Sequence, residues 1–355
     1  MYGFYNNYNG AGFQAHEENG RKIYDLKKLF SKVFLALFLY TLISQFLATA
    51  VYTVAAILMS AEEYAAFNNN YILAVLISSG IQYLVAFPVL LLTLRGTDKA
   101  EVKERTSLSP TDFLLLLLIG QALMHIGNLI GTFLNNLFGA FRGQVPENNI
   151  ATIISEIPIW LIFVIMVVIG PIIEEIIFRK LLIDRLGIYG DRMAILFSAV
   201  AFGLVHGNFY QFFYATMLGA LLGYVYTKTR DLRYPIMMHM ITNFMGSIIA
   251  LPVEKAYNEF YRLMELAALG EGYNLGDLVR NGLIVLGYTN LQYGMLIGGL
   301  FALWHYFKSK RIRISRHKEI LISDASIIKH GVANTGAILF ISVSALVILI
   351  NLFLS

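Results

Sequence analysis

Nine apolar runs constrain this chain more than any other feature: residues 30–58, 70–94, 112–139, 151–186, 191–207, 209–229, 234–252, 292–307 and 335–354. A helix crossing about 30 Å of hydrocarbon needs roughly 20 residues at 1.5 Å each. Soluble domains carry about a quarter of their residues as Asp, Glu, Lys or Arg, whereas here 14% are charged and 57% are hydrophobic. That charge density cannot cover 355 residues with a polar surface, so lipid must be the solvent. The expected fold is all-α, a polytopic transmembrane helical bundle of about eight to nine spans with a polar intramembrane cavity.

The basic residues set a topology. Arg21, Lys22, Lys27, Lys28 and Lys32 precede the first span, Arg95, Lys99, Lys103 and Arg105 follow the second, and Lys228, Arg230 and Arg233 follow the sixth. "KSKRIRISRHK" follows the eighth, while "SAEEYAAFNNN" and "GNFY" carry no basic residue. Short flanking segments decide orientation, and the alternation puts the N-terminus in the cytoplasm. The net charge of +4 is therefore topological. No basic groove with interleaved aromatics is present, so nucleic acid is not an expected partner. The absence of cysteine excludes disulfides, thiolate metal sites and a Cys nucleophile.

Residues 1–29 read as a cytoplasmic N-terminal arm, with the Tyr-, Asn- and Gly-rich residues 1–20 expected to be disordered. Residues 30–355 read as one transmembrane domain. The first apolar run is too long for a cleaved signal and is expected to be an uncleaved anchor. Gly207 and Asn208 should close a tight hairpin between the fifth and sixth spans. Within 253–291, "EKAYNEFYRLMELAAL" reads as an interfacial amphipathic helix on the outer side.

The segment "IGPIIEEIIFRKLL", residues 169–182, places Glu174, Glu175 and Arg179 inside an apolar run. Each charge costs roughly 2.5–3.5 kcal/mol in such a setting. Residues i and i+4 share a helix face, so Glu175 and Arg179 should neutralise each other and leave Glu174 for chemistry. Pro171 should kink the helix and free backbone carbonyls toward a cavity. In "SAVAFGLVHGN" the Phe202 ring can pack over His206, and in "YPIMMHMITNF" His239 and Asn243 share a stripe.

Glu174, His206, His239 and Asn243 in one wet pocket suit hydrolysis. A carboxylate and an imidazole can share the deprotonation of water, and an amide and a second imidazole can stabilise an oxyanion. Alternatively, His206, His239 and Glu174 could ligate zinc with an open fourth position, although no H-E-x-x-H pair is present. Ser198 lacks a G-x-S-x-G elbow. Gln121, His125 and Asn128 form a polar stripe on the third span, read as interhelical hydrogen bonding.

The order E-E-x-x-x-R (Glu174, Glu175, Arg179), F-x-x-x-H (Phe202, His206) and H-x-x-x-N (His239, Asn243) resembles the CAAX protease and bacteriocin-processing family of intramembrane endopeptidases. The resemblance covers about residues 150–250, which it marks as a catalytic core. It implies that Glu174 and His206 activate water while His239 and Asn243 stabilise the oxyanion, supported by Glu175, Arg179 and Phe202. It also implies a multi-pass protein of a bacterial plasma membrane, with membrane lipid and a membrane-associated peptide or protein substrate as partners. Both a zinc-dependent and a metal-free glutamate/histidine mechanism are compatible with these residues. Two other functions draw on the same groups. A non-catalytic immunity or scaffold protein would keep the fold, and a proton-coupled transporter would use the acids as relays, but no inverted repeat is visible.

Overall fold

The computed structural model describes residues 8–100, 104–145, 149–309 and 322–354. Residues 1–7 of the N-terminal arm, Lys103 and most of the basic stretch after the eighth apolar run lie outside the described residues. Among the described residues all regular structure is helical. In chain order the helices are α1 (8–58), α2 (Ala61–Asn68), α3 (Tyr71–Thr93), α4 (Pro110–Arg142), α5 (Asn149–Glu156) and α6 (Ile159–Tyr189). They continue as α7 (Asp191–Val205), α8 (Phe209–Thr229), α9 (Arg233–Leu269), α10 (Leu275–Lys308), α11 (Asp324–Val332) and α12 (Thr335–Leu354).

Seven of these helices are long and apolar enough to cross a membrane: the part of α1 from Arg21, and α3, α4, α6, α9, α10 and α12. The chain is an integral, multi-pass helical bundle. The fifth and sixth expected spans, α7 and α8, are helices at the expected positions but do not meet the length and hydropathy of the other seven. At 15 residues α7 is about 22 Å long, short of the hydrocarbon thickness. Both pack inside the bundle, α8 lying against α4 on one side and α7 on the other. That approach is close because Gly127 and Gly131 of α4 face the backbone of α8 at Tyr214 and Phe209, where any Cβ would collide.

Three expectations are corrected. Residues 8–20, expected to be disordered, are the helical start of α1. The fourth run, expected at 151–186, is interrupted at Pro158, which caps the start of α6 and separates it from the short α5. The segment 253–291 is not a separate interfacial helix: α9 passes Pro252 unbroken to Leu269, and α10 begins at Leu275 rather than at 292. A π stretch at Met245–Ile249 immediately precedes Pro252 and accommodates it in a continuous helix. The two helices pack as an antiparallel hairpin turning at Gly270. At about 55 and 51 Å they exceed the hydrocarbon thickness by roughly 20 Å. Their distal halves carry exposed ion pairs, Arg262 with Glu259 and Arg280 with Asp277, as segments outside lipid should.

The largest apolar core joins α1, α3, α6, α7 and α12 through residues such as Phe30, Phe34, Leu90, Phe178, Phe197 and Phe340. A second joins α4, α8, α9 and α10. A third, smaller core joins α3 and the start of α6 through Val75, Leu161 and Ile162.

Candidate active site

The charged groups of α6 sit in a helix that is not regular. Gly170–Glu175 is α-helical, but Ile162–Ile169 before it and Ile176–Ile183 after it are π-helical. In a π turn each N–H reaches back five residues, and the Gly170 N–H accordingly bonds to Ile165 O. The next donor in that pattern would be Pro171, which has no N–H. Met166 O is thereby left without its helical partner, and Asn243 Nδ2 of α9 donates to it at 2.9 Å. The carbonyl left free beside Pro171 thus gives α9 one of its ties to α6.

Glu175 and Arg179 are both 0% exposed and form a bidentate pair, Nε to Oε2 at 2.8 Å and Nη2 to Oε1 at 3.2 Å. Arg179 Nη1 also donates to Ser198 Oγ of α7 at 3.1 Å, and Ser198 Oγ donates to Phe178 O at 2.8 Å. On its other side Glu175 Oε1 accepts from His239 Nδ1 at 3.0 Å. A buried chain from α7 through α6 to α9 thus fixes the plane of the His239 ring and leaves its Nε2 edge toward Glu174, whose Oε2 is 3.6 Å away. Glu174 is 22% exposed and faces the cavity, so the two adjacent acids divide as their spacing implied.

His206 ends α7. Its Nδ1 stands 2.7 Å from Phe202 O. A carbonyl only accepts, so Nδ1 carries the proton and Nε2 is left with its lone pair. The Phe202 ring meets both imidazoles edge-on, at 4.9 Å and 89° to His206 and 5.7 Å and 86° to His239, and the Arg179 guanidinium lies 5.2 Å from its centroid. The hairpin to α8 turns at Gly207, whose φ of +68° favours glycine. Asn208 caps α8 by accepting from Gln211 N at 2.9 Å and donates back to His206 O at 2.9 Å. Asn351 of α12 donates to Gly207 O at 3.0 Å, and a Cβ at Gly207 would sit 2.6 Å from Val347.

Glu174, His206, His239 and Asn243 line one cavity of about 530 Å³. Phe202 lines it as well, and Glu175 and Arg179 lie behind the wall. Of the five π stretches among the described residues, four, in α1, α3 and twice in α6, contribute lining residues. Sequence reasoning weighed Ser198 only as a nucleophile and missed its bond to Arg179, although spacings of four residues put Ser198, Phe202 and His206 on one stripe; it also missed the wall made by Tyr40, Gln82 and Tyr83. Of the stripe expected to make interhelical hydrogen bonds, Gln121 donates to Thr242 Oγ1 at 3.4 Å, His125 makes a ring contact with Tyr293 at 6.2 Å, and Asn128 is exposed. The zinc alternative finds no matching geometry: among the described residues no group of three or more His, Asp or Glu side chains is placed to hold a metal ion.

Comparison with known proteins bears on the same segment. Residues 156–245 match the family "Type II CAAX prenyl endopeptidase Rce1-like". The chain is 29% identical over 186 residues to YdiL of Bacillus subtilis, a protein named as a candidate membrane peptidase, covering 51% of this chain and 74% of that one. It is 30% identical over 134 residues to the membrane-embedded CAAX protease MroQ of Staphylococcus aureus, covering 36% and 53%. With CAAX prenyl protease 2 of Arabidopsis thaliana it shares 26% identity over 133 residues, covering 31% and 41%. The chain thus spans about half or less of the length of the latter two. No solved structure matches it.

Proposed function

We propose that this chain, whose residues 156–245 match the Rce1-like, type II CAAX prenyl endopeptidase family, cleaves a membrane-associated peptide inside the cavity lined by Glu174, using water activated by Glu174 and His206. The observation that carries this reading is the meeting of Glu174, His206, His239 and Asn243, from three separate helices, on one cavity whose acceptor groups are aimed inward. His206 offers a lone pair at Nε2 because Nδ1 is committed to Phe202 O.

In the reaction a water held by Glu174 and His206 Nε2 gives its proton to the Glu174 carboxylate as its oxygen adds to the scissile carbonyl carbon. The carbonyl electron pair moves onto oxygen, and the oxyanion takes a hydrogen bond from the second Asn243 amide N–H beside the His239 ring, which lines the same cavity. Glu175 holds the Nδ1 edge of that ring, so the ring is in place before the substrate arrives. When the C–N bond breaks, Glu174 returns its proton to the departing amine, and the carboxylate is restored.

The names of the relatives support a substrate with a CAAX-type C-terminus, and the apolar helices around the cavity suit a lipid-modified one. Processing of a bacteriocin-type peptide is the alternative substrate. The alternation of basic loops supports a cytoplasmic N-terminus, and two bacterial relatives support a bacterial plasma membrane. The test is cleavage of a quenched-fluorescent farnesylated CAAX peptide, beside a membrane-proximal leader peptide, by protein reconstituted in nanodiscs. Glu174→Gln and His206→Ala should each abolish cleavage while the thermal midpoint stays near that of the parent. Normal turnover in either variant rejects the assignment.

A further inference from the structure

The wall of the cavity facing Glu174 is built by α1 and α3, which lie outside the segment matched to the family. Tyr40 sits just ahead of the π stretch of α1, and Gln82 and Tyr83 lie within that of α3. Gln82 Nε2 donates to Tyr40 Oη at 2.7 Å. With its oxygen accepting from Gln82, Tyr40 has a hydroxyl hydrogen to give, and among the described residues no protein acceptor takes it. Tyr40 is buried yet lines the cavity, as do Tyr83 and Glu174. A Cβ at Gly170, one turn before Glu174, would lie 3.4 Å from Tyr83 Oη, so α3 meets α6 at the catalytic turn.

The amide assigned to the oxyanion is already partly committed. One Asn243 N–H is held by Met166 O, and Nδ1 of the neighbouring His239 is held by Glu175. A phenol holds its hydrogen near the ring plane in one of two orientations, and here its oxygen is fixed by an amide. Resting on the endopeptidase reading above, we propose that Tyr40 is a further catalytic residue that donates its hydroxyl hydrogen to the carbonyl oxygen of the scissile bond, and that Gln82 is a positioning residue that orients it. As the water adds, the Tyr40 O–H bond stays intact and its hydrogen bond to the forming oxyanion shortens. No proton leaves the phenol, and the transfer to Glu174 and on to the amine is unchanged. The reaction therefore needs α1 and α3 as well as the matched core.

The test uses the full chain in nanodiscs and the same farnesylated peptide. Tyr40→Phe keeps the ring in its apolar surroundings and removes only the donor. The expected result is a fall in kcat of about 10²-fold, with KM and the thermal midpoint close to those of the parent. Gln82→Met should lower kcat less, and should cost nothing further in the Tyr40→Phe background, because its effect passes through the phenol. A Tyr40–Gln82 pair that merely joins α1 to α3 would lower the thermal midpoint and shift KM together with kcat, and that result overturns the proposal. Parent-like kcat in Tyr40→Phe overturns it too, while cleavage by the parent and its loss in Glu174→Gln leave the endopeptidase reading standing. A parent protein inert on both peptides overturns that reading and this inference with it.

Discussion

Replacing Arg179 by Met would strip Glu175 of its countercharge in a fully dry environment. The guanidinium makes three hydrogen bonds, two of them to Glu175, and both partners of the ion pair are 0% exposed, so solvent screening offers no relief. Breaking a buried pair from one side costs about 3–5 kcal/mol, most of it the penalty on the charge left behind. His239 still donates to Glu175 Oε1, which keeps the expected loss within that range. The double variant Arg179→Met/Glu175→Gln removes both charges, and the new amide oxygen can still accept from His239 Nδ1. It should therefore recover at least about 2 kcal/mol of the loss, as expected for groups in direct contact. Denaturant unfolding in detergent micelles, followed by tryptophan fluorescence, gives the four stabilities of the cycle. A single Arg179→Met variant within about 1 kcal/mol of the parent, or a double variant no better than the single, would refute the view that this pair is held by charge compensation.

Asn243→Ala should cost about 1–3 kcal/mol by leaving Met166 O without a partner beside Pro171, and thermal unfolding in micelles reads it. Asn243→Asp should recover none of that loss while its carboxylate is ionised, since it offers no donor to a carbonyl. Gly127→Ala should push α4 from α8 and destabilise by about 1–3 kcal/mol, whereas Gly246→Ala, with open space around the new methyl, should not. The same unfolding assay separates the two. Loss of cleavage in Glu174→Gln and the kcat effect of Tyr40→Phe complete the set.

How much of the molecule could be read from residues alone depends on whether a polar group contrasts with its neighbours. The spans at Tyr71–Thr93 and Thr335–Leu354 fall within a residue of the expected limits, because the first is mostly apolar between Asn70 and Gly96 and the second begins directly after Asn334. Helices α7 and α8 look like spans in one dimension, but their coverage by protein on several sides is a property of packing. The amphipathic pattern after Pro252 is the same whether the helix lies on an interface or projects beyond the bilayer, so the continuation of α9 could not be read. Within the site, Glu174, Glu175, Arg179, His206, His239 and Asn243 stand out because ionisable and amide groups are rare in apolar helices. Ser198 does not, since a lone hydroxyl is unremarkable there, and Tyr40 and Gln82 are joined only by folding across 42 residues. The π stretches leave no composition signal, yet they decide which carbonyls and side chains turn inward.

The amide of Asn351 that closes the carbonyl of Gly207 has a bearing on biogenesis. The turn bearing His206 leaves the ribosome 144 residues before its partner. At about 5–20 residues per second that interval is roughly 7–30 s. Arg142 adds to the delay, because it anchors the carbonyls of Leu352 and Phe353 and so waits on the same late helix. During that time the turn bearing His206 is held only by its local bonds to Phe202 and Asn208, and it gains the Asn351 contact when α12 inserts, after the helices that line the cavity have been made.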